Sequence, residues 1–257
     1  MSTAFLFNNK MMKYGTHAMG ISSSPTPPVP VLPANTVRVR TSDGNAPVKN
    51  YGNKFESATL VEGTTDVYDV YKSGTSFSNL LSKCTNITEV LGANLTGITR
   101  ADYMFLQCSS LTTVSLSNTS SVTNMRSMFY LCSSLTTVQL FDTSSVTNMR
   151  GMFEECTSLT SVPLFDTSSV TNMEDMFNGD SSITSIPLFN TSNVTDIRQA
   201  FYNCVNVESG ALALYQQASS KTSVPSHNAT FYHCGSNTTT GAAELAQIPS
   251  SWGGTGA

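Results

Sequence analysis

Six cysteines and three histidines are the residues of this chain with the widest chemical reach. Cys84, Cys108, Cys132, Cys156, Cys204 and Cys234 could form disulfides, bind a metal or supply a thiolate. His227 and His233 sit close to Cys234, with Cys204 earlier, a set with the donor types of a zinc site. No Cys-x-x-Cys or His-x3-His spacing accompanies them, so neither a metal nor a Cys–His nucleophile is expected. The spacing points elsewhere. Cys84, Cys108, Cys132 and Cys156 follow one another at 24 residues, and Cys204 and Cys234 keep the same phase. Thiols fixed at one phase of a repeat read as a buried ladder of small apolar groups that stay free. Free thiols suit assembly in a reducing compartment.

The acidic residues give a similar answer. Asp142 and Asp166 share a phase with Asn118 and Asn190. A carboxylate ladder can hold calcium, but neutral Asn alternates with Asp and no Asp-x-Asp-x-Asp-Gly loop is present. Asx-turns are expected there instead. The recurrent residues are thus explained by packing, no cofactor is implied, and no enzyme activity is expected.

What positions these residues is an internal repeat. Phe105, Phe129, Phe153, Phe177 and Phe201 are each 24 apart, and Met104, Met128, Met152 and Met176 precede the first four. Five units follow, 86–109, 110–133, 134–157, 158–181 and 182–205, with a degenerate unit around Leu81 and Cys84 before them. Phe231 and Cys234 come 30 residues after Phe201 and Cys204, so the last turn carries an insertion, with Ala211–Ser219 as an extra helix. Self-similarity at this period marks a stacked repeat fold. In each unit Leu135-x-x-Val138-x-Leu140 fits a short strand with Val138 and Leu140 pointing inward. Met149, Met152, Phe153 and Cys156 fall at i, i+3, i+4 and i+7, which predicts a two-turn helix capped by Thr147 or Asn148. The expected fold is therefore an α/β solenoid of 24-residue turns, in which one unit cannot stand alone.

Composition follows from the repeat. Only 12% of residues are charged, 39% are apolar and the net charge is −4. The basic footprint of a nucleic-acid binder is lacking. No apolar run approaches the ~18 residues of a membrane span. Outside the repeat, residues 1–21 form an arm whose Phe5, Leu6, Phe7, Met11, Met12 and Tyr14 suit docking to a partner. The apolar run Ala4–Phe7 is short and Lys10 and Lys13 follow it, so a secretory signal is not expected. Residues 22–35 are a Pro-rich neck with polyproline II character. Residues 36–76 form a small β cap, with strands at Val37–Arg40, Ala58–Val61 and Val67–Tyr71. The repeat spans 77–235, and 236–257 is a C-terminal tail.

The string DTSSVTNMRGMFEECTSLTSVPLFDTS, from Asp142 onward, resembles the BspA-like leucine-rich repeats, a domain of unknown function common in Mycoplasma and gut-bacterial surface proteins. The resemblance implies a right-handed solenoid and a role in adhesion, with no enzyme activity. The usual family repeat is about two residues longer between the strand and the DTS turn. This short form leaves Phe141, Phe165 and Phe189 either as a buried ladder or as an exposed stripe. Family surface proteins also carry export signals. The lack of one here, with the Pro-rich neck, is similar to gene products of phages that infect gut Bacteroidetes.

The expected function is that of a non-enzymatic structural or adhesive virion component of a bacteriophage: a capsid decoration, head fibre or tail-associated protein. The arm would bind a capsid or tail protein. The outward strand positions Thr113, Ser115, Thr137, Gln139, Ser161, Pro163, Ser185 and Pro187 would bind host-surface or mucosal glycan or protein on a concave face. Self-association as a homo-oligomer is compatible with this. The alternative is a BspA-like adhesin on the bacterial cell surface.

Overall fold

The structure is a computed structural model of the 257-residue chain. It describes residues 32–48 and 54–256, and within 1–31 the backbone of two short strands. The compact unit Met1–Val31 holds β1 (Leu6–Phe7) and β2 (Lys10–Met11), paired antiparallel. The predicted docking residues Phe5, Met12 and Tyr14 and most of the neck lie outside the described residues. Leu6, Phe7 and Met11 lie in strands described by their backbone alone.

The unit Leu32–Ala257 is mostly strand and turn with few helices. Its sheet is open and six-stranded, in the order β4 (Ser57–Leu60), β5 (Val67–Tyr71), β3 (Thr36–Thr41), β6 (Ile87–Asn94), β7 (Thr113–Val114) and β8 (Thr137–Val138). The period-two alternation around Val37 and Val39 buries both and leaves Arg38 and Arg40 half-buried. Arg38 is held by a two-bond pair to Asp69 at 2.7 and 2.8 Å. Pairing is antiparallel up to β6 and parallel from β6 to β8. The first full repeat thus inherits its sheet edge from the cap.

Beyond β6 the chain stacks on itself with a register of 24 residues. Parallel bridges join Arg100, Asn124, Asn148, Asn172 and Asp196 in succession, and Asp196 to Ser226. The phenylalanine ladder runs through the centre. Phe105, Phe129, Phe153, Phe177 and Phe201 stack nearly face on at 5.4–5.5 Å between ring centroids, and Phe231 follows at 5.9 Å. Each such contact contributes about 0.5–1.5 kcal/mol beyond the apolar area it buries.

The helix predicted at Met149–Cys156 does not form. The segment is a run of turns in every unit. Alternate N–H groups serve two purposes. Met125, Ser127, Phe129 and Leu131 donate to the carbonyls of Asn148, Arg150, Met152 and Glu154 in the next unit at 2.8–3.0 Å, while Met128, Tyr130 and Cys132 donate three residues back. An α-helix would spend all of these donors four residues back and leave nothing to join the units. The geometry requires two left-handed residues per unit, four apart. They are Asn79 and Lys83, Tyr103 and Gln107, Ser127 and Leu131, Gly151 and Glu155, Asp175 and Gly179, Gln199 and Asn203, and Ala229 and His233, all with φ between 49° and 81°. Most lack the freedom of glycine, at a cost of roughly 1–2 kcal/mol each. The hydrogen bonds between units offset it.

The strand expected in every unit shortens to two residues in β7 and β8 and is absent from the later units. Pro163 and Pro187 explain this, because proline supplies no N–H to a ladder. The extra helix lies where the insertion predicts it, as α1 (Ala211–Ser219). It is followed by α2 (Thr239–Leu245), N-capped by the Thr238 hydroxyl, and a 3-10 turn at Ser250–Trp252.

These last elements close the stack. The buried threonines Thr119, Thr143 and Thr167 of the Asx-Thr-Ser turns donate their hydroxyls to the carbonyls of Asp142, Asp166 and Asn190 in the next unit at 2.7–2.9 Å. The last of them, Thr191, has no such unit ahead. Gln217 of α1 accepts its hydroxyl at 2.8 Å and its N–H at 3.1 Å, and Lys221 donates to its carbonyl at 2.8 Å. In the same way Phe231 donates its N–H to the Trp252 carbonyl, and the Trp252 ring stacks on His227 at 4.1 Å.

Candidate functional site

The cysteines are buried. Cys108, Cys132, Cys156 and Cys204 each direct Sγ at the carbonyl 27 residues earlier, at 3.0–3.2 Å. Burial raises their thiols far above the ordinary range. A thiol so held is neither nucleophile nor ligand. His227 is engaged with Trp252 and with the Pro225 carbonyl, and His233 stacks on Tyr232. Among the described residues no group of His, Cys, Asp and Glu could hold a metal ion. Asx-turns form at three of the four expected places: Asp142, Asp166 and Asn190 accept the N–H groups of Ser144, Ser168 and Ser192 at 2.9 Å, whereas Asn118 turns its amide to donate to Asn94 Oδ1 at 3.1 Å. Asn148 likewise takes the Arg150 N–H, so the expected cap residue shapes a turn in place of a helix.

One rung departs from the ladder. Asp180 stands at the cysteine phase and is fully buried. Its Oδ1 accepts the Cys156 N–H at 2.7 Å, while Oδ2 has no partner among the described residues. Burial, with Glu155 and Glu154 nearby, pushes its carboxyl well above the usual carboxylate range. Glu154 is raised to about 7, first by burial and then by the charges of Asp175 and Glu155. Arg150 and Arg198 pair with the surrounding Glu174, Asp175 and Asp196 on this side.

The face with room for a ligand is the strand side. Thr113, Thr137, Gln139, Ser161 and Ser185 are exposed, and Ser115, Pro163 and Pro187 are half-buried. Thr113 and Thr137 lie opposite each other in the parallel β7–β8 pair. A cavity of ≈ 350 Å³ runs over Leu91, Ser115, Thr137 and Gln139. Hydroxyl and amide groups offer hydrogen bonds there without formal charge.

The inward placement of Leu140 is overturned. Leu140, Leu164 and Leu188 are 64%, 60% and 53% exposed, whereas Phe141, Phe165 and Phe189 are buried. The phenylalanine stripe is therefore the buried ladder. Phe165 packs on Phe153, and Phe189 on Phe177, at 5.9 and 6.0 Å. The cause is local. The Phe165 N–H closes a three-residue turn onto the Pro163 carbonyl at 2.9 Å, and Phe189 does the same on Pro187 at 2.8 Å. The intervening leucine becomes the apex and points out. Leu116, followed by Ser117, stays inside at 8% exposure. The missed signal was the Leu-Phe pair itself. Two adjacent strand residues cannot both face one core, and the larger side chain takes the interior.

With this geometry in hand, the chain can be set beside known proteins. The profile of the family described as "Mycoplasma protein of unknown function, DUF285" matches residues 45–137, 75–161, 99–210 and 132–239 in overlapping copies. A search of curated proteins finds no match. Among solved structures, a leucine rich cell surface protein from Faecalibacterium prausnitzii A2-165 is 19% identical over 72% of this chain and 54% of its own, with a TM-score of 0.30. The chain thus spans about half the length of that protein.

Proposed function

The chain belongs to the family described as Mycoplasma protein of unknown function, DUF285, and on that premise we propose a non-enzymatic binding protein, a right-handed BspA-like solenoid that displays its strand face to glycan or protein on a neighbouring surface. The carrying observation is the division of labour in the repeat. The cysteines are buried in packing, while an uncharged hydroxyl face with Thr113, Thr137, Ser161 and Ser185 is open. Repeat proteins use such extended faces for binding. The BspA-like character of the sequence supports display on a bacterial cell surface as an adhesin.

The test uses the full chain, labelled and applied to gut-bacterial cells and to mucin. A variant carrying Thr113→Lys, Thr137→Lys and Ser161→Lys should lose most of the retained protein while keeping its circular dichroism and melting temperature. Unchanged retention would refute the assignment of this face. A hydrolase activity that survives purification and dies with one substitution would refute the non-enzymatic reading.

A second reading takes the finer form of a phage virion component. It rests on the apolar arm Phe5–Tyr14 and the Pro-rich neck. Proteomics of purified particles tests it, and absence of the chain from particles would remove it. In either setting no helix among the described residues is long and apolar enough to cross a membrane.

A further inference from the structure

The three outward leucines repeat in register on consecutive rungs. Leu140 and Leu164 border a cavity of ≈ 400 Å³ that Phe141, Asp142, Thr143 and Asp166 also line. Exposed leucines in a row are unusual for a solvated face and mark contact surfaces when contiguous. Two further properties narrow what would cover them.

The first is charge. Asp142 and Asp166 stand two residues after Leu140 and Leu164, and both carboxyls are held below the usual range by the hydroxyl and N–H of Ser144 and Ser168. They are anions at neutral pH, and among the described residues no Lys or Arg forms an ion pair with either. Residues 134–192 contain seven acidic residues and one base, Arg150. That arginine is bound on the far side to Glu174 and Asp175. An anionic partner is repelled here, and a cationic one is attracted.

The second is spacing. Beside the leucines, the Phe141 and Phe165 rings of neighbouring rungs lie 5.1 Å apart. An α-helix has a pitch of ~5.4 Å. A helix laid along the stack would bring one apolar side chain per turn, at i, i+4 and i+7, against successive leucines. An extended strand, at ~6.8 Å per same-face pair, falls out of step within two rungs.

We propose that Leu140, Leu164 and Leu188, with Asp142 and Asp166, form a docking strip for an amphipathic α-helix of a partner protein, apolar on one face and bearing Lys or Arg along its edge. This inference deepens the reading of the strand side as a binding face and names the partner's chemistry.

The probe is a labelled synthetic helix of leucine and lysine at helical spacing, titrated into the full chain and followed by fluorescence anisotropy. A Leu140→Ser, Leu164→Ser, Leu188→Ser variant has the same charge and keeps its core, because these side chains lie outside it. It should bind roughly tenfold or more weakly. Asp142→Asn with Asp166→Asn should weaken binding and flatten its salt dependence. A peptide with glutamate in place of lysine should not bind. The proposal is overturned if the leucine–lysine helix fails to bind the native chain, or binds the triple serine variant equally. It is also overturned if sedimentation shows the native chain dimeric and the serine variant monomeric, since a second copy then covers the strip. If the serine variant is still retained on cells and mucin as the native chain is, the helix strip fails while the adhesive reading stands.

Discussion

The two sides of the same stack are built to different tolerances. On the turn side every unit repeats the same hydrogen bonds, the same left-handed pair and the same stacked ring. On the strand side the units diverge: β7 and β8 pair, later units break at Pro163 and Pro187, and leucines turn outward. The difference teaches that the turn side alone can hold the register. With Phe, Met and Cys interlocked at most rungs, the other edge is released to vary its surface without loss of the fold.

The sharpest way to break this contrast is to truncate one residue on each side. Phe153→Ala removes a fully buried ring that stacks on Phe129, Phe177 and Phe165. It should cost roughly 3–5 kcal/mol, and Leu164→Ala less than about 0.5 kcal/mol. Urea denaturation measures both, and similar losses would refute the division. Next in size, Asp180→Cys restores the thiol at the single broken rung and removes a buried carboxyl oxygen without a partner among the described residues. It should stabilise the chain at pH 8 by about 1–3 kcal/mol, read by the same titration. Destabilisation would mean that Asp180 serves the fold as it stands.

A smaller effect follows from pH. The folded chain raises the carboxyls of Asp180 and Glu154 above their unfolded values. Such groups contribute stability that is complete below about pH 4 and is lost as pH rises through the folded value, about 7 for Glu154. The exposed Asp142 and Asp166 run the other way and lose their contribution only in acid. The melting temperature should therefore fall by roughly 2–4 °C between pH 5 and pH 8, and Asp180→Cys with Glu154→Gln should flatten that slope. The smallest effect sharpens the account of the turns. Leu131 has φ 61°, and Gly179 occupies the equivalent place two units on. Leu131→Gly relieves left-handed strain of roughly 1–2 kcal/mol at an entropy cost of about 0.5–1 kcal/mol. The net should be neutral to slightly stabilising by differential scanning calorimetry, where an ordinary helix position would lose stability.

The period, the cap strands, the helix at Ala211–Ser219 and the buried thiols were legible because each follows from one local pattern. The turn-side geometry was not. Met149, Met152, Phe153 and Cys156 give the i, i+3, i+4, i+7 spacing of a helix face, and a run of i−3 turns places the same residues inward. The left-handed pair separates the two, and Gly151 and Gly179, with Asn79, Asp175 and Asn203, hint at it, while Ser127, Leu131 and Glu155 occupy the same places without such a signal. Of the candidate site, the hydroxyl positions could be read from alternation. The leucines could not, because alternation carried through Val138 assigns Leu140 inward. The outcome turns on competition with Phe141 for one interior place.

The closing groups at the C-terminal end have a consequence for how such a protein changes over generations. Gln217, Lys221 and Trp252 satisfy the donors and acceptors that the next rung would have met, and they belong to no repeat. The terminator is indifferent to how many rungs precede it. Unequal recombination between the similar segments encoding residues 110–181 would add or remove whole rungs and leave both ends intact. The length of the displayed face is thereby a heritable quantity that moves in single steps of about 5 Å.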